Sequence, residues 1–263
     1  MQNDFVSREP RYTLHSVDSA LQLLQLLRDA GSLRVVTAAE HLGVAKSTAH
    51  RLLNMLTYRG FAVQDEDRVY RAGPGMNVPP VRTDVLQRFR NKVDHHFQAF
   101  VERTQVTVSL VARFGTTLRF IETYVSGENF AISSRRGHIF PARHASGGKA
   151  LLSLLSLNAL EQLYRSPQAA RSEEYLDDAE FAELLRELRQ VRSDGFALNR
   201  EETERGLWAL SMPFHCSKPG MWLAFAVAVP SALKQQLTSG EMIAKCGEFR
   251  AQVDSHVNTS EQG

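Results

Sequence analysis

Apolar residues recur every three or four positions through residues 17–56, a period that predicts helices with one buried face each. The first helix begins at Ser16, a residue type that caps helix N-termini, and ends at Gly31. The second begins with Thr37-Ala38-Ala39-Glu40, which matches a capping box, and ends at Gly43. The stripe of the first helix comprises Val17, Ala20, Leu21, Leu24 and Leu27.

A third amphipathic helix begins near Ala45 and ends at Gly60. Its buried stripe comprises Ala49, Leu52, Leu53 and Leu56. Two β-rich triplets, 61–63 and 68–70, then flank a polar turn at 64–67 and predict a hairpin. Helix, glycine turn, helix and hairpin in this order predict a winged helix-turn-helix.

The polar face of the third helix suits double-stranded DNA. No acid occurs between His41 and Asp65, and the N-terminal turns offer donors and positive charge to base edges and phosphates. In the hairpin, the acidic turn disfavours DNA, which leaves Arg68 and Arg71 as contacts. The alternative is a surface helix with scattered charge, or one that makes protein contacts. The candidate DNA-binding residues are Lys46, Ser47, Thr48, His50, Arg51, Asn54 and Arg68.

The rest of the chain mixes strands and helices. Prolines and glycines at 73–83 indicate a domain boundary, and an apolar stripe from Val85 to Val101 predicts a long helix ending near Thr104. That helix could join the domains or pair two subunits. Strands are predicted at 106–114, 117–125, 130–133 and 220–229, and helices at 150–157, 181–191 and after Pro230. This order indicates an α+β fold with an antiparallel sheet.

We therefore expect two domains in a chain of 263 residues, which suits its length. A flexible N-terminal arm covers 1–15, the winged helix-turn-helix domain 16–75, a linker and linker helix 76–104, and the second domain 105–263. With a net charge of only +2, any DNA affinity must come from the local basic patch.

The cysteine, histidine and glutamate positions give no sign of a metal site or a catalytic site. Cys216 and Cys246 form no CxxC pair, and no secretion signal or membrane span is recognisable, so we expect a cytoplasmic protein that does not bind membranes. His95-His96 lacks metal-ligand spacing, and Glu201, Glu202 and Glu204 fit a solvated helix start. We expect no metal, no cofactor, no catalytic residues and no enzyme activity.

Two motifs in the predicted order carry a family resemblance. The first is Lys46-Ser47-Thr48-Ala49-His50-Arg51-Leu52-Leu53, and the second combines Gly148-Lys149-Ala150 with Arg192-x-x-Gly195-Phe196. From about Ser16 to its last helix, the chain resembles the IclR (isocitrate lyase regulator) family of bacterial transcriptional regulators.

The resemblance implies a winged-helix domain joined by a linker helix to a GAF-like effector-binding domain. It also implies a homodimer or homotetramer, acting as repressor or activator, whose operator binding is tuned by a small organic molecule, with control of a catabolic operon as the expectation. DNA contacts would come from the recognition helix. The alternative function is a ligand sensor whose winged helix contacts proteins instead of DNA.

The family effector site would lie between the sheet and the Gly148-Lys149-Ala150 loop. Its usual polar positions fall here on Asn199, Ala209, Ala226 and Ala228, all of which depart from the family pattern. Along the strand at 221–229, Trp222 and three alanines share one face, which leaves room for a ligand or for a closely packed helix. The candidate effector-binding residues are Gly147, Gly148, Asn199, Ala209, Trp222, Ala226 and Ala228.

These departures predict an effector bulkier and less polar than glyoxylate or pyruvate, such as an aromatic or aliphatic acid. The segment 133–149 adds four cations, including Arg135 and Lys149, and contains no acid. A positive segment beside the pocket favours an anionic effector, with a solvated surface loop as the alternative.

Overall fold

A computed structural model describes residues 14–65, 67–76, 83–127, 132–171, 174–215 and 222–259. The chain divides into two compact units, residues 1–77 and 78–263. Almost all of the predicted N-terminal arm, together with Cys216, Met221 and the start of the predicted strand at 130–133, lies outside the described residues. Among the described helices, none combines the length and apolar character needed to cross a bilayer.

Unit 1 has the three helices and the hairpin that the sequence predicts, and an unpredicted short strand, β1, extends the hairpin to a three-stranded sheet. Its antiparallel strands are ordered β1-β3-β2. Leu23 and Leu27 of the first helix pack with Leu53 of the third and with Tyr70. The elements are α1 (His15–Ala30), β1 (Ser32–Leu33), α2 (Val35–Leu42), α3 (Lys46–Tyr58), β2 (Ala62–Gln64), β3 (Tyr70–Ala72) and a 3₁₀ turn (Pro74–Met76).

Glycines end the first two helices as predicted, but the predicted N-caps are wrong. Gly31 and Gly43 adopt left-handed φ values of 71° and 63°. By contrast, Leu14 and Arg34 occupy the N-cap positions without a side-chain hydrogen bond, so Ser16 and Thr37 lie inside their helices. The strand β1 explains the early start of α2, because its pairing with β3 brings the chain directly into the helix.

The buried face of α1 also differs from the predicted stripe. Leu23 and Leu27 are fully buried, whereas Val17 and Leu21 are 51% and 54% exposed. The face that packs on the rest of unit 1 is therefore centred on Leu23 and Leu27, and the N-terminal half of α1 presents apolar side chains at its surface.

Unit 2 is built on one six-stranded sheet in the order β6-β5-β4-β9-β8-β7, with every neighbouring pair antiparallel. Its strands are β4 (Thr107–Phe114), β5 (Thr117–Tyr124), β6 (Ile139–Pro141), β7 (Ala197–Arg200), β8 (Leu207–Pro213) and β9 (Leu223–Pro230). Its helices are α4 (Thr83–Thr104), α5 (Ser146–Leu152), α6 (Leu157–Tyr164), α7 (Pro167–Arg171), α8 (Asp178–Asp194), α9 (Lys234–Leu237) and α10 (Gly240–Thr259).

The central strand β9 separates two cores, as its alternating sequence predicts. Leu223, Phe225, Val227 and Val229 pack in a core shared with α4 and α10. Ala224 and Ala226 face the opposite core, which α5, α6 and α8 complete. The long helix α4 therefore belongs to the core of unit 2, where the ring centroid of Phe100 lies 4.6 Å from that of Phe249.

Several boundaries in unit 2 differ from the prediction. The predicted helix at 150–157 begins earlier, at Ser146, and ends at Leu152. The predicted last helix is broken into a 3₁₀ turn at 231–233, α9 and α10. Ile132 and Ser133 are not in a strand, and β6, β7 and β8 were not predicted. The missed strands are short or carry mixed polar and apolar residues, so their pairing partners define them better than their own pattern.

Candidate nucleic-acid interface and ligand cavity

The helix α3 exposes one polar face over a buried apolar face. Ala49, Leu53 and Leu56 are buried in the unit 1 core. Its N-cap, Ala45, makes no side-chain hydrogen bond, so no side chain blocks the first N–H groups, which favour anions such as phosphate. All six predicted contact residues on α3 are exposed, namely Lys46, Ser47, Thr48, His50, Arg51 and Asn54. Met55 and Tyr58, nearer the C-terminal end of the helix, are exposed as well.

Asn54 has a partner inside unit 1. The hydroxyl of Tyr70 on β3 donates to Asn54 Oδ1 at 3.0 Å, and Asn54 Nδ2 lies 3.4 Å from His50 Nδ1. Burial raises the pKa of Tyr70, which keeps its hydroxyl protonated as the donor. Asn54 therefore ties the helix to the hairpin and orients His50.

Asp65, the first acid of the hairpin turn, forms its hydrogen bonds within the hairpin. Asp65 accepts hydrogen bonds from the backbone N–H of Val69 at 2.8 Å and from Arg71 Nε at 3.2 Å. The Val69 N–H is the main reason that the pKa of Asp65 is lowered, with Arg71 contributing. Arg71 is thus partly neutralised, whereas Arg68, at a left-handed φ of 59°, is exposed at the tip.

A cavity of about 40 Å³ lies between the alanine face of the sheet and the start of α5. Gly147, Asn199, Ala209, Ala226 and Ala228 line it, so five predicted residues from distant segments come together. Gly148 and Trp222 do not line it. The other lining residues are Thr107, Ser109, Leu118, Phe120, Ile132, Arg135, Phe140, Ala145, Ser146, Thr203, Leu207 and Trp208.

Strand register explains why these residues meet. Asn199 pairs with Ala209, Ala209 with Ala228, and Ala228 with Thr107, which gives one row across four strands. The amide Nδ2 of Asn199 donates to the carbonyl of His144 at 2.6 Å and so anchors the segment before α5. Thr107 was not predicted as a lining residue.

Polar groups in β4 could have been found from the sequence. Thr107 and Ser109 are buried polar residues at alternate positions of a largely apolar strand, which places both on the same face. Ser109 Oγ lies 3.1 Å from Thr123 Oγ1, and Ser211 Oγ donates to Ser146 Oγ at 2.8 Å. The cavity is therefore mostly apolar, with hydroxyl groups at its base.

The two glycines of α5 allow close packing. A Cβ atom on Gly148 would lie 2.0 Å from the carbonyl oxygen of Ala142, and one on Gly147 would lie 2.7 Å from Val111 Cγ2. Gly148 is therefore needed for backbone contact behind the cavity, while Gly147 lets the cavity wall approach the sheet.

The segment 133–149 is not an unpaired positive surface. Lys149 has no exposed side-chain area, and its Nζ donates to Glu187 Oε1 at 2.5 Å and to Glu202. Arg135 pairs with Glu204. Glu202 and Glu204, which the sequence places at a solvated helix start, instead lie in the β7–β8 turn region and neutralise Lys149 and Arg135. The expectation of a solvated helix start is therefore wrong.

Arg135 nevertheless keeps one donor for a ligand. It lines the cavity and is 8% exposed. Its Nε atom is buried and has no hydrogen-bond partner among the described residues. An N–H group buried without a partner is costly, and an oxyanion in the cavity would satisfy it.

Trp222 serves a different part of unit 2. The guanidinium carbon of Arg113 lies 5.3 Å from the Trp222 ring centroid, a cation–π contact. Ala224, the alanine nearest to it on the same face, is fully buried in the core under α5. The alanine face of β9 thus accommodates a packed helix at one end and the cavity at the other.

Comparisons with known proteins agree with this architecture. Residues 16–66 match the IclR helix-turn-helix domain, and residues 83–253 match the C-terminal domain of the bacterial transcriptional regulator IclR. The HTH-type transcriptional regulator XynR of Escherichia coli (strain K12) is 29% identical over 250 residues, covering 91% of this chain and 93% of that protein. The HTH-type transcriptional regulator Rv1719 of Mycobacterium tuberculosis is 30% identical over 196 residues, or 73% of each chain.

A solved structure shares the fold at low sequence identity. The crystal structure of an IclR homolog complexed with 4-hydroxybenzoate, from Microbacterium hydrocarbonoxydans, has a TM-score of 0.55 and 17% identity and covers 94% of this chain and 99% of that one. The relatives are named as transcriptional regulators, not enzymes. Because the two domain matches together span most of its length, this chain belongs to the IclR family of bacterial transcriptional regulators, which carry a helix-turn-helix domain.

Proposed function

We propose that this regulator binds its operator through the exposed N-terminal face of α3. Lys46, Ser47, Thr48, His50 and Arg51 contact bases and phosphates, and Arg68 of the hairpin contacts the adjacent backbone. Asn54 holds His50 in position through its bond to Tyr70. The observation that carries this proposal is a polar and cationic face, with no acid in residues 42–64, seated on a fully packed apolar stripe.

Replacement of Arg51 tests the interface. In a gel shift on promoter fragments from the native genome, Arg51→Ala weakens binding by about 1–3 kcal/mol if the side chain reads a base. Arg28→Ala, which removes an exposed arginine paired with Asp29 on α1, is the matched control and keeps wild-type affinity. Wild-type affinity in Arg51→Ala removes Arg51 from the interface. An absence of any footprint favours the alternative function, protein contacts through the winged helix.

We propose a DNA-binding domain at 16–75, a linker and linker helix at 76–104, and an effector-binding domain at 105–263. Because α4 packs in the core of unit 2, the linker helix moves with the effector domain. A homodimer or homotetramer is supported by the apolar side chains of Val17 and Leu21 on α1 and of its N-cap Leu14, which are spaced for one face and are 51%, 54% and 71% exposed. Two recognition helices then read two half-sites of one operator.

The effector is an organic monocarboxylate. Its carboxylate accepts from the unpaired Nε–H of Arg135, and its apolar body lies against Ala209, Ala226 and Ala228. A volume of about 40 Å³ exceeds the space one water needs, but is far below the ~300–1,000 Å³ typical of sites for drug-sized ligands. An aromatic acid such as 4-hydroxybenzoate, the ligand of the Microbacterium homolog, therefore enters only when bulky lining side chains such as Phe120 and Phe140 move outward.

Calorimetric titration with a graded set of acids tests the effector class. Arg135→Gln loses affinity for the acid that binds best, whereas Arg136→Gln, an exposed neighbour paired with Glu122, retains it. In the gel shift, the same acid releases the wild type from its operator but no longer releases Arg135→Gln, which connects the cavity to DNA binding. Tight binding of glyoxylate or pyruvate, with none for larger acids, contradicts the proposed bulk of the ligand. Control of a catabolic operon follows if the acid is a growth substrate.

A further inference from the structure

Three histidines from two distant segments converge on the surface of unit 2. His95 and His96 lie on α4, and His256 lies on α10. One ring nitrogen of each lies within 4.8 Å of the corresponding nitrogen of the other two. The ring centroid of His256 is 5.2 Å from that of His95 and 5.1 Å from that of His96. Consecutive histidines alone have no metal-ligand spacing, so the third ligand becomes visible only when α10 packs against α4.

The two helices are held together beside the cluster. The ammonium of Lys92, one turn before His96, donates to the carbonyl of Val257 at 3.0 Å. Val93 and Phe97 on α4 pack in the same core as Val253 and Val257 on α10. The imidazoles are therefore carried by fixed backbone on both sides, which limits the entropy lost on binding an ion.

The three imidazoles are accessible to an ion from solvent. His95 is exposed and His96 and His256 are half-buried, so an ion can enter and keep a water molecule. Within the described chain, Nε2 of His96 is buried and has no hydrogen-bond partner. A buried imidazole nitrogen without a partner is suited to a metal ion.

We propose that His95, His96 and His256 form a binding site for a divalent transition metal of the class that prefers imidazole ligands, with zinc as the representative ion. Three histidines and a water are a known tetrahedral zinc set, with Zn–N distances near 2.0–2.1 Å. In a tetrahedral site the ligand nitrogens are about 3.4 Å apart. Small side-chain rotations that move the ring nitrogens by about 1 Å bring them from their present separations to that distance. The bound ion cross-links α4 to α10 and thereby stabilises the effector domain.

The test uses full-length protein without a polyhistidine tag, stripped with a chelator and dialysed. Calorimetric titration with Zn²⁺ gives one site per chain, and Co²⁺ gives the intense visible absorption of a four-coordinate site. Zn²⁺ also raises the Tm, and the chelator reverses the rise. His95→Ala, which changes an exposed side chain and keeps the fold, lowers the affinity at least tenfold, as does His256→Ala.

Two control variants keep the proposal falsifiable. His41→Ala removes an exposed histidine of unit 1 and keeps the site. His215→Ala removes an exposed imidazole that lies 3.1 Å from Asp254, a carboxylate two residues before His256 on α10, and also keeps the site. Absence of Zn²⁺ binding in the wild type overturns the proposal. So does unchanged affinity in His95→Ala, or loss in His215→Ala with retention in His95→Ala.

Discussion

Replacement of Gly148 by alanine tests the packing of α5 against residue 142, next to the residues that line the cavity. The new Cβ would lie 2.0 Å from the carbonyl oxygen of Ala142 and 2.5 Å from its carbonyl carbon and Cα. These are backbone atoms, so no side-chain rotation relieves the contact and α5 must shift away from residue 142. Overpacking of this kind costs about 1–3 kcal/mol, and a backbone clash lies at the upper end.

The gain in helix propensity offsets part of that cost. Glycine to alanine in a helix interior stabilises by about 0.5–1 kcal/mol, which leaves a net loss of about 2 kcal/mol in the free energy of unfolding of unit 2. Gly247→Ala is the matched control. Gly247 lies inside α10, has no left-handed φ, and has no atom within 4 Å of the added Cβ, so this variant is more stable than the wild type.

Tryptophan fluorescence reports this transition selectively. The chain contains two tryptophans, Trp208 and Trp222, and both belong to unit 2. With a urea m-value of about 2 kcal/mol/M, Gly148→Ala lowers the unfolding midpoint by about 1 M, while Gly247→Ala raises it. A midpoint for Gly148→Ala equal to or above that of the wild type would refute the argument that this glycine is required for backbone approach.

Three further predictions concern charge, pH and assembly. Lys149→Met leaves Glu187 and Glu202 without their shared cation, and we expect the free energy of unfolding of unit 2 to fall by about 1–3 kcal/mol in the same fluorescence assay. The double variant Lys149→Met/Glu202→Gln restores part of that loss. Burial, aided by neighbouring cations, lowers the pKa of His144 below its usual 6.5, so the unfolded chain takes up the proton first. The contribution of His144 to stability is therefore fully present above about pH 6.5 and is lost as the pH falls further, so the loss of stability in acid is shallower in His144→Gln. Leu21→Glu, at an exposed position, converts the proposed oligomer to a smaller species in light scattering and weakens operator binding; an unchanged mass removes α1 from the interface.

The local sequence pattern was sufficient to predict most helices and helix ends of unit 1. The stripe of Ala49, Leu53 and Leu56 and the left-handed glycines at 31 and 43 involve neighbours within one or two turns, so the sequence records them directly. N-caps were less predictable. Ser16 and Thr37 have suitable side chains, but strand pairing and the packing of α1 place the helix starts elsewhere.

The charges and the lining of the cavity depend on contacts between segments that are far apart in the chain. Lys149 meets Glu187 and Glu202, which are 38 and 53 residues away, and Arg135 meets Glu204 at a separation of 69. A cationic segment without acids therefore looked unpaired in the sequence. The row from Asn199 to Thr107 likewise depends on the register of four strands, which no single strand specifies.

The sequence by itself determined the three-helix domain, the polar face of α3 and the two faces of β9, because helical and strand periodicities act between near neighbours. Only the tertiary structure decided which cations are neutralised, how small the cavity is and that His256 joins His95 and His96. Those features arise where segments far apart in the chain pack together. Which side chains meet there depends on how the helices and strands pack, and the local sequence pattern does not specify it.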